Sequence, residues 1–325
     1  MIKTYNVEEN NVNIRLDKYL TTKEPKYSRV FLSNLIKNDK VSVNGKIVSP
    51  SYKVKNDDKI VVDFIVEEYD PKNLKPYNFK LDIIYEDNDV IVINKPKGLV
   101  VHPGDGHHDD TLVNALIYAH KELSNLNGLE RVGIVHRIDK DTSGLLLVCK
   151  NNYSHAFIAE QLANHTMHRE YYALVLGRID EDSGKIIAPI ARDKTNRMKM
   201  CVDPINGRPA ITHFNVVKRY EKYTLVDCKL ETGRTHQIRV HMDYIKHPVI
   251  GDHLYGKNNC LIYNNGQMLH AYRLTFIHPT TKKEMTFEAP LPAYFTEVLS
   301  RIKWIRPSNF FIVFKILFAN FRKFF

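Results

Sequence analysis

"VHRIDKDTSG", Val135 to Gly144, lies between Gly133-Ile134 and Leu145-Leu146-Leu147-Val148. Apolar runs of that length read as buried strands. The stretch between them carries Arg137, Lys140, Asp139 and Asp141 as well as His136. A plain turn needs only the Asp-Thr-Ser-Gly chemistry at its end, where Asp141, Thr142 and Ser143 can bond the local backbone. That leaves His136, Arg137 and Asp139 without a structural reason. A carboxylate held at the seam of a core sheet has a fixed position, which covalent catalysis requires.

Two further stretches stand out. In "HREYYALVLG", His168 to Gly177, alternation over a strand puts Arg169, Tyr171 and Ala173 on one face and Glu170, Tyr172 and Leu174 on the other. One tyrosine could face a pocket and stack on a planar ligand such as a base; packing is the ordinary role of such a residue. In "LETGRTHQIRVHMDYIKHPVIGDHLYG", Leu230 to Gly256, Thr232-Gly233 is a turn and Thr235 a predicted N-cap. Ile238, Met242 and Ile245 recur at helical spacing, with Arg239 on an adjoining face, and His247-Pro248 ends the helix. His236 and His241 are five apart and diverge, with no H-E-x-x-H spacing, so no metal site is expected. Neither a Walker-type loop nor G-x-G-x-x-G occurs, so nucleotide cofactors lack support.

The chain has 325 residues, room for more than one folded unit, with 43% hydrophobic and 26% charged residues. No apolar N-terminal segment reads as a signal peptide. Its four cysteines form no C-x-x-C pair, which fits a reducing cytoplasm. The net charge is +10 and sits at the ends. Residues 11–60 hold 11 Lys/Arg against 5 Asp/Glu, residues 301–325 hold six bases and no acid, and residues 81–300 are neutral. Basic appendages around a neutral centre suit polyanion binding, against the plainer reading of a solvated surface.

Between residues 13 and 69 the pattern predicts a small α+β unit. Ile14, Leu16, Tyr19 and Leu20 fit one helical face, with Asp17 and Lys18 outward. Ser28 is placed to cap a second helix carrying Val30, Leu32, Leu35 and Ile36. Val41 to Val48 reads as a hairpin turning at Asn44-Gly45, and Lys59 to Val62 as another strand. Residues 70–80, with two prolines, read as a linker. From 81 to 300, Leu81–Tyr85 and Val90–Lys95 form a predicted hairpin around "EDND", and Thr111 is placed to cap a helix near Leu112–His120. Short strands and helices then alternate irregularly, which predicts an α+β class. The basic aromatic tail, 301–325, is too short in its apolar part to span a bilayer; a docked helix is the favoured reading, beside an RNA contact or a weak membrane association.

Two short basic helices followed by a hairpin resemble the S4 RNA-binding domain. That resemblance implies RNA contacts at Lys26, Arg29, Lys37 and Lys40. "HRIDKDTSG", "REYYALVLG" and "TGRTHQIRVH…HPVIGD…YG", in that order, resemble the RluA-type pseudouridine synthases, as do "INKPKGLVVHPG" and "LHAYRLTFIHP". The likeness runs from about 81 to 292 and is strongest to the type D synthases of the ribosomal large subunit. Ile138, where leucine is usual, and the basic aromatic tail are the departures.

The resemblance implies the pseudouridine synthase fold, with a central mixed, largely antiparallel sheet flanked by helices and loops. It implies that uridine in RNA is detached at N1, turned and reattached through C5. Asp139 is then the catalytic carboxylate, acting at C1′ or C6 or assisting deprotonation at C2′. Arg239 is the cation that pairs with it, Tyr171 the aromatic that stacks on the base, Arg137 the residue near the vacated space, and His136 a support behind them. No cofactor and no metal are expected, since the rearrangement is redox-neutral. The expected partner is ribosomal RNA of the large subunit (23S) or its assembling particle, met by a cytoplasmic monomer with no membrane span. Two rivals stay open: a non-catalytic S4-type ribosome-associated RNA-binding protein, and a metal-dependent nuclease using Asp105, Asp109, Asp110 and Asp139.

Overall fold

The computed structural model describes residues 2–25, 27, 29–37, 39–64, 74–104, 106–256 and 262–303, without the side chains of Val30 and Asn34. Lys26, the Ser28 cap, the start of the expected linker, Asp105 and the tail from 304 lie outside the described residues.

The chain divides into two compact units. One comprises Met1–Tyr171, Lys229–His236 and Leu269–Pro290; the other comprises Tyr172–Cys228, Gln237–Met268 and Leu291–Phe325.

The first unit opens with a four-stranded antiparallel sheet in the order β1 (Ile2–Asn6), β4 (Lys59–Asp63), β2 (Val41–Val43), β3 (Lys46–Ile47). The β2–β3 turn is Asn44-Gly45, both with positive φ (51° and 77°). That is the left-handed pair a tight hairpin needs. α1 (Leu16–Lys23) and α2 (Arg29–Lys37) bury Leu16, Tyr19, Leu20, Leu32, Leu35 and Ile36 against this sheet, the face their spacing predicts. Asp17 is a correction. It was expected to point outward but is buried, because its carboxylate accepts from both Arg15 and Arg29 at 3.0 Å.

The same unit holds a mixed sheet. β5 (Ile83–Glu86), β6 (Val90–Lys95) and β7 (Ser143–Cys149) are antiparallel in sequence order. β7 is parallel to β14 (Leu269–Ile277), which carries β15 (Glu284–Glu288) antiparallel on its other part. β7 is buried along its whole length, so it reads as a continuous apolar run. α4 (Asn152–Ala163) covers this sheet, placing Ile158 in a core with Val90, Val92, Leu145, Leu147, Leu274 and Phe276. α3 (Leu112–Ala119) starts at the predicted Thr111, whose hydroxyl accepts from Asn114 N–H in a reciprocal capping box. The apolar pair before the charged seam was expected to be a strand. It is only a single bridge, Ile134 to Val148, because Gly133 takes φ 71° and a Cβ there would lie 2.6 Å from Val148.

β8 (His168–Leu176) and β13 (Tyr223–Leu230) each run from one unit into the other. The second unit pairs β12 (Ile211–Arg219) with β9 (Ser183–Ile187), and β10 (Ile190–Arg192) with β11 (Met200–Val202). α5 (Gln237–Tyr244) buries Val240 beside Ile190, Ala210 and Tyr255. α6 (Ala293–Arg301) inserts Phe295 and Val298. The α+β class and the mixed sheet are as expected. Among the described residues, no helix is long and apolar enough to cross a membrane.

Candidate active site

The charged seam forms the loop that enters β7. Thr142 N–H donates to the Asp139 carbonyl at 3.1 Å, closing the turn. Lys95, at the end of β6, is fully buried. Its ammonium donates to the carbonyls of Pro96 (2.7 Å), Leu99 (2.8 Å) and Lys140 (3.0 Å). Burial pushes its pKa down to about 7, against the pull of Asp141 and Asp139. One side chain therefore ties the residue after Asp139 to the "NKPKG" turn. At the far end, Gly144 has φ 108°, and a Cβ would meet the Ala271 carbonyl oxygen at 2.2 Å. Ser143 Oγ bonds His270 Nδ1 at 2.8 Å.

His136 fastens the loop from behind. Its Nε2 accepts from Leu147 N–H at 3.0 Å, so the proton of the neutral ring sits on Nδ1. Nδ1 is buried with no hydrogen-bond partner. Burial first, and the Arg169 charge second, push its pKa down to about 3.

β8 supplies the next layer. Arg169, Tyr171 and Ala173 are buried on one face, as the alternation predicts. Burial raises the Tyr171 phenol; Arg169 works against that and Asp139 adds to it. The Arg169 guanidinium is buried, and its Nε has no hydrogen-bond partner. A Cβ on Gly233 would lie 2.6 Å from its Nη1, so glycine leaves the room it occupies. His236, at φ 57°, brings Nε2 to 4.0 Å from Asp139 Oδ1, and the two side chains are 16% and 17% exposed. This left-handed residue also explains why α5 begins at Gln237 and not at the expected Thr235 cap.

Two cations on the loop rest on histidines. Arg137 Nη1 donates to His102 Nε2 at 2.7 Å, and His102 Nδ1 is 3.0 Å from the Pro103 carbonyl. Lys140 Nζ donates to His107 Nε2 at 3.0 Å, while His107 Nδ1 meets Asp110 at 2.7 Å.

Arg239 lies in the second unit. It is buried and bidentate to Asp252, with Nε to Oδ2 at 2.6 Å and Nη2 to Oδ1 at 2.9 Å, and its guanidinium is 5.1 Å from the Tyr255 ring centre. His241 is also a packing residue, bonded to Thr212 (2.9 Å) and the Ala188 carbonyl (2.9 Å). Of the expected RNA-contacting residues near the N-terminus, Arg29 is held by Asp17 and half exposed, Lys37 is exposed, and Lys40 is half-buried. Among the described residues, the one triplet of metal-type donors is Asp87, Asp89 and His278. None of the acids of the nuclease reading belongs to it; Asp109 pairs with Lys75 at 2.7 Å and Asp110 with His107.

The structure thus brings Asp139, Tyr171, His136 and Arg137 into one unit, together with four residues to which the sequence reading assigned no catalytic or binding role: Arg169, His236, His102 and His107. Arg169 could have been found, since it shares the parity of Tyr171. A half-buried carboxylate on a braced loop, beside a buried tyrosine and histidine-held cations, can attack or steady a planar, electron-poor group.

The profile of the RNA pseudouridylate synthase family matches residues 89–244, and that of the S4 domain residues 14–60. The RNA pseudouridine synthase YlyB of Bacillus subtilis is 47% identical over 289 residues, covering 89% of this chain and 94% of its own. The ribosomal large subunit pseudouridine synthase D of Zymomonas mobilis is 42% identical, covering 87% and 92%; that of Haemophilus ducreyi is 40% identical, covering 93% and 95%. Among solved structures, human RNA Pseudouridylate Synthase Domain Containing 1 superposes with a TM-score of 0.56 at 25% identity, over 72% of this chain and 93% of that one. The chain belongs to the RNA pseudouridine synthase family, with an S4 domain ahead of its synthase region.

Proposed function

We propose that this synthase acts on large-subunit ribosomal RNA, flipping a target uridine from its stack and isomerising it with Asp139 as the catalytic carboxylate. The observation that carries this reading is the bracing of the Asp139 loop by Lys95 and His136 beside buried Tyr171. A reacting carboxylate needs a position fixed before substrate arrives. The likeness to synthases named for the large subunit supports the substrate class.

The N1–C1′ bond breaks, the C5–C1′ bond forms, N1 gains a proton and C5 loses one. Asp139 serves this exchange as nucleophile or as base at the sugar. Tyr171 stacks on the uracil. Arg239 is the cation assigned to Asp139, and Arg137 enters the space that the uridine leaves, since a stacked base must come out before it reacts. Lys37, Lys40, Arg29 and Lys26 supply sequence-independent attraction to the phosphates. Residues 13–69 form the RNA-binding part, 70–80 the linker, 81–300 the synthase and 301–325 a basic tail, in a cytoplasmic monomer.

The test is chemical mapping of pseudouridine across cellular RNA with and without the gene. Loss of one or more sites in large-subunit ribosomal RNA is the expected result. An unchanged ribosomal map with sites lost in another RNA would replace the substrate.

A further inference from the structure

Arg137 and Lys140 flank Asp139, and each is held by a histidine of the 102–110 loop instead of by a carboxylate. In both cases Nε2 accepts the cation's hydrogen bond. Each Nδ1 faces an acceptor: the Pro103 carbonyl for His102 and the Asp110 carboxylate for His107. That second bond fixes which nitrogen carries the proton. Arg137 is exposed and His102 half-buried. A neutral imidazole differs from an acid in one consequence. It orients a cation and leaves its full charge for another partner, whereas a carboxylate would cancel the charge and repel a phosphate.

We propose that His102 and His107 are positioning residues, which aim Arg137 and Lys140 at the vacated stack and its flanking phosphates, each cation bonded to an imidazole and not directly to a carboxylate. Burial, with Arg137 and Arg131 nearby, holds His102 below the ordinary histidine pKa in spite of Glu130. His102 therefore keeps its acceptor at neutral pH. The proposal rests on the reading of Arg137 as the residue that enters the vacated stack.

The test uses the full chain and two transcripts labelled with tritium at uridine C5, whose release reports isomerisation. One transcript spans a uridine mapped in cells; the other is the same sequence with mismatches that leave that uridine unstacked. His102→Ala should lose roughly tenfold in kcat/KM on the first transcript and much less on the second. His102→Gln, which still accepts without charge, should stay near wild type. His102→Glu accepts but neutralises. It should fall at least as far as alanine and flatten the salt dependence of binding by about one phosphate contact. His102→Ala/His107→Ala should flatten it further.

An alanine variant with wild-type turnover overturns the proposal. So does an equal loss on both transcripts, or a glutamate variant as active as glutamine. Should His102→Ala not fold, the glutamine and glutamate variants decide. If wild-type protein fails to isomerise either transcript, the functional reading falls by itself. The His102 bond is then judged by the ring 15N shifts, in which the acceptor signature of Nε2 should vanish in Arg137→Ala.

Discussion

Arg239 and Asp252 form a buried bidentate pair thirteen residues apart, with Nε to Oδ2 at 2.6 Å. The same carboxylate accepts the backbone N–H groups of Leu254 (2.9 Å) and Tyr255 (3.2 Å). Removing the aspartate takes a bidentate partner from a buried guanidinium and the acceptor from two backbone N–H groups. Asp252→Ala should therefore destabilise the protein by about 3–5 kcal/mol. Urea unfolding followed by tryptophan-independent circular dichroism would measure it. A change below the scatter of surface variants would mean that solvent replaces the aspartate.

Asp139→Asn keeps the shape and removes the charge. The loop is braced through backbone carbonyls and His136, and asparagine fills the same volume as aspartate, so the variant should stay folded and still bind RNA. Tritium release should fall on the order of a thousandfold or more. Near-normal turnover would take Asp139 out of the chemistry.

Gly144→Ala should cost more than about 3 kcal/mol, since it adds strain at φ 108° to a steric clash with the Ala271 backbone. The readouts are soluble yield and thermal midpoint. A fully soluble variant with an unchanged midpoint would show that β7 and β14 can part without loss.

Acid should loosen the fold in a defined window. His155 is buried between Ser124 (2.8 Å) and Asn127 (3.0 Å), and burial pushes its pKa down to about 4. His136 is pushed down to about 3. Unfolded histidine, with a pKa near 6.5, binds the proton more readily, so protonation favours unfolding. The stability is complete above about pH 6.5 and falls as pH drops toward 4, by roughly 1.4 kcal/mol per unit for each ring. His155→Gln should remove one proton from that slope in pH-dependent melts. An identical slope would assign the proton elsewhere.

Lysines near the N-terminus, exposed Lys37 and half-buried Lys40, should govern the salt dependence. Lys37→Ala with Lys40→Ala should weaken binding to any large structured RNA and lower the log–log salt slope by roughly one per lysine. Filter binding from low to moderate salt would read it. An unchanged slope would make these residues surface decoration.

Much of this was legible in the residues themselves. Thr111 declared its helix, Asn44-Gly45 its turn, and the parity of "REYYA" the buried face of β8. Local chemistry decides those features, so a local reading finds them. Asp17 was misplaced because its burial depends on Arg29, twelve positions on. The start of α5 was misplaced because His236 takes a left-handed backbone, which no spacing announces. The histidines behind Arg137 and Lys140 carried no sequence signal of their role. Their partners lie 35 and 33 residues away, and only tertiary folding makes them neighbours.

The parallel pairing of β7 with β14 aligns Ser143 with His270 and Gly144 with Ala271. These partners are 127 residues apart. During synthesis, the C-terminal anchor of the Asp139 loop does not exist until the chain has emerged past residue 271. Closing so long a loop is slow relative to forming hairpins. A growing chain can thus display its RNA-binding front end well before its reaction centre is set. Truncations ending before β14 should engage RNA and leave it unaltered.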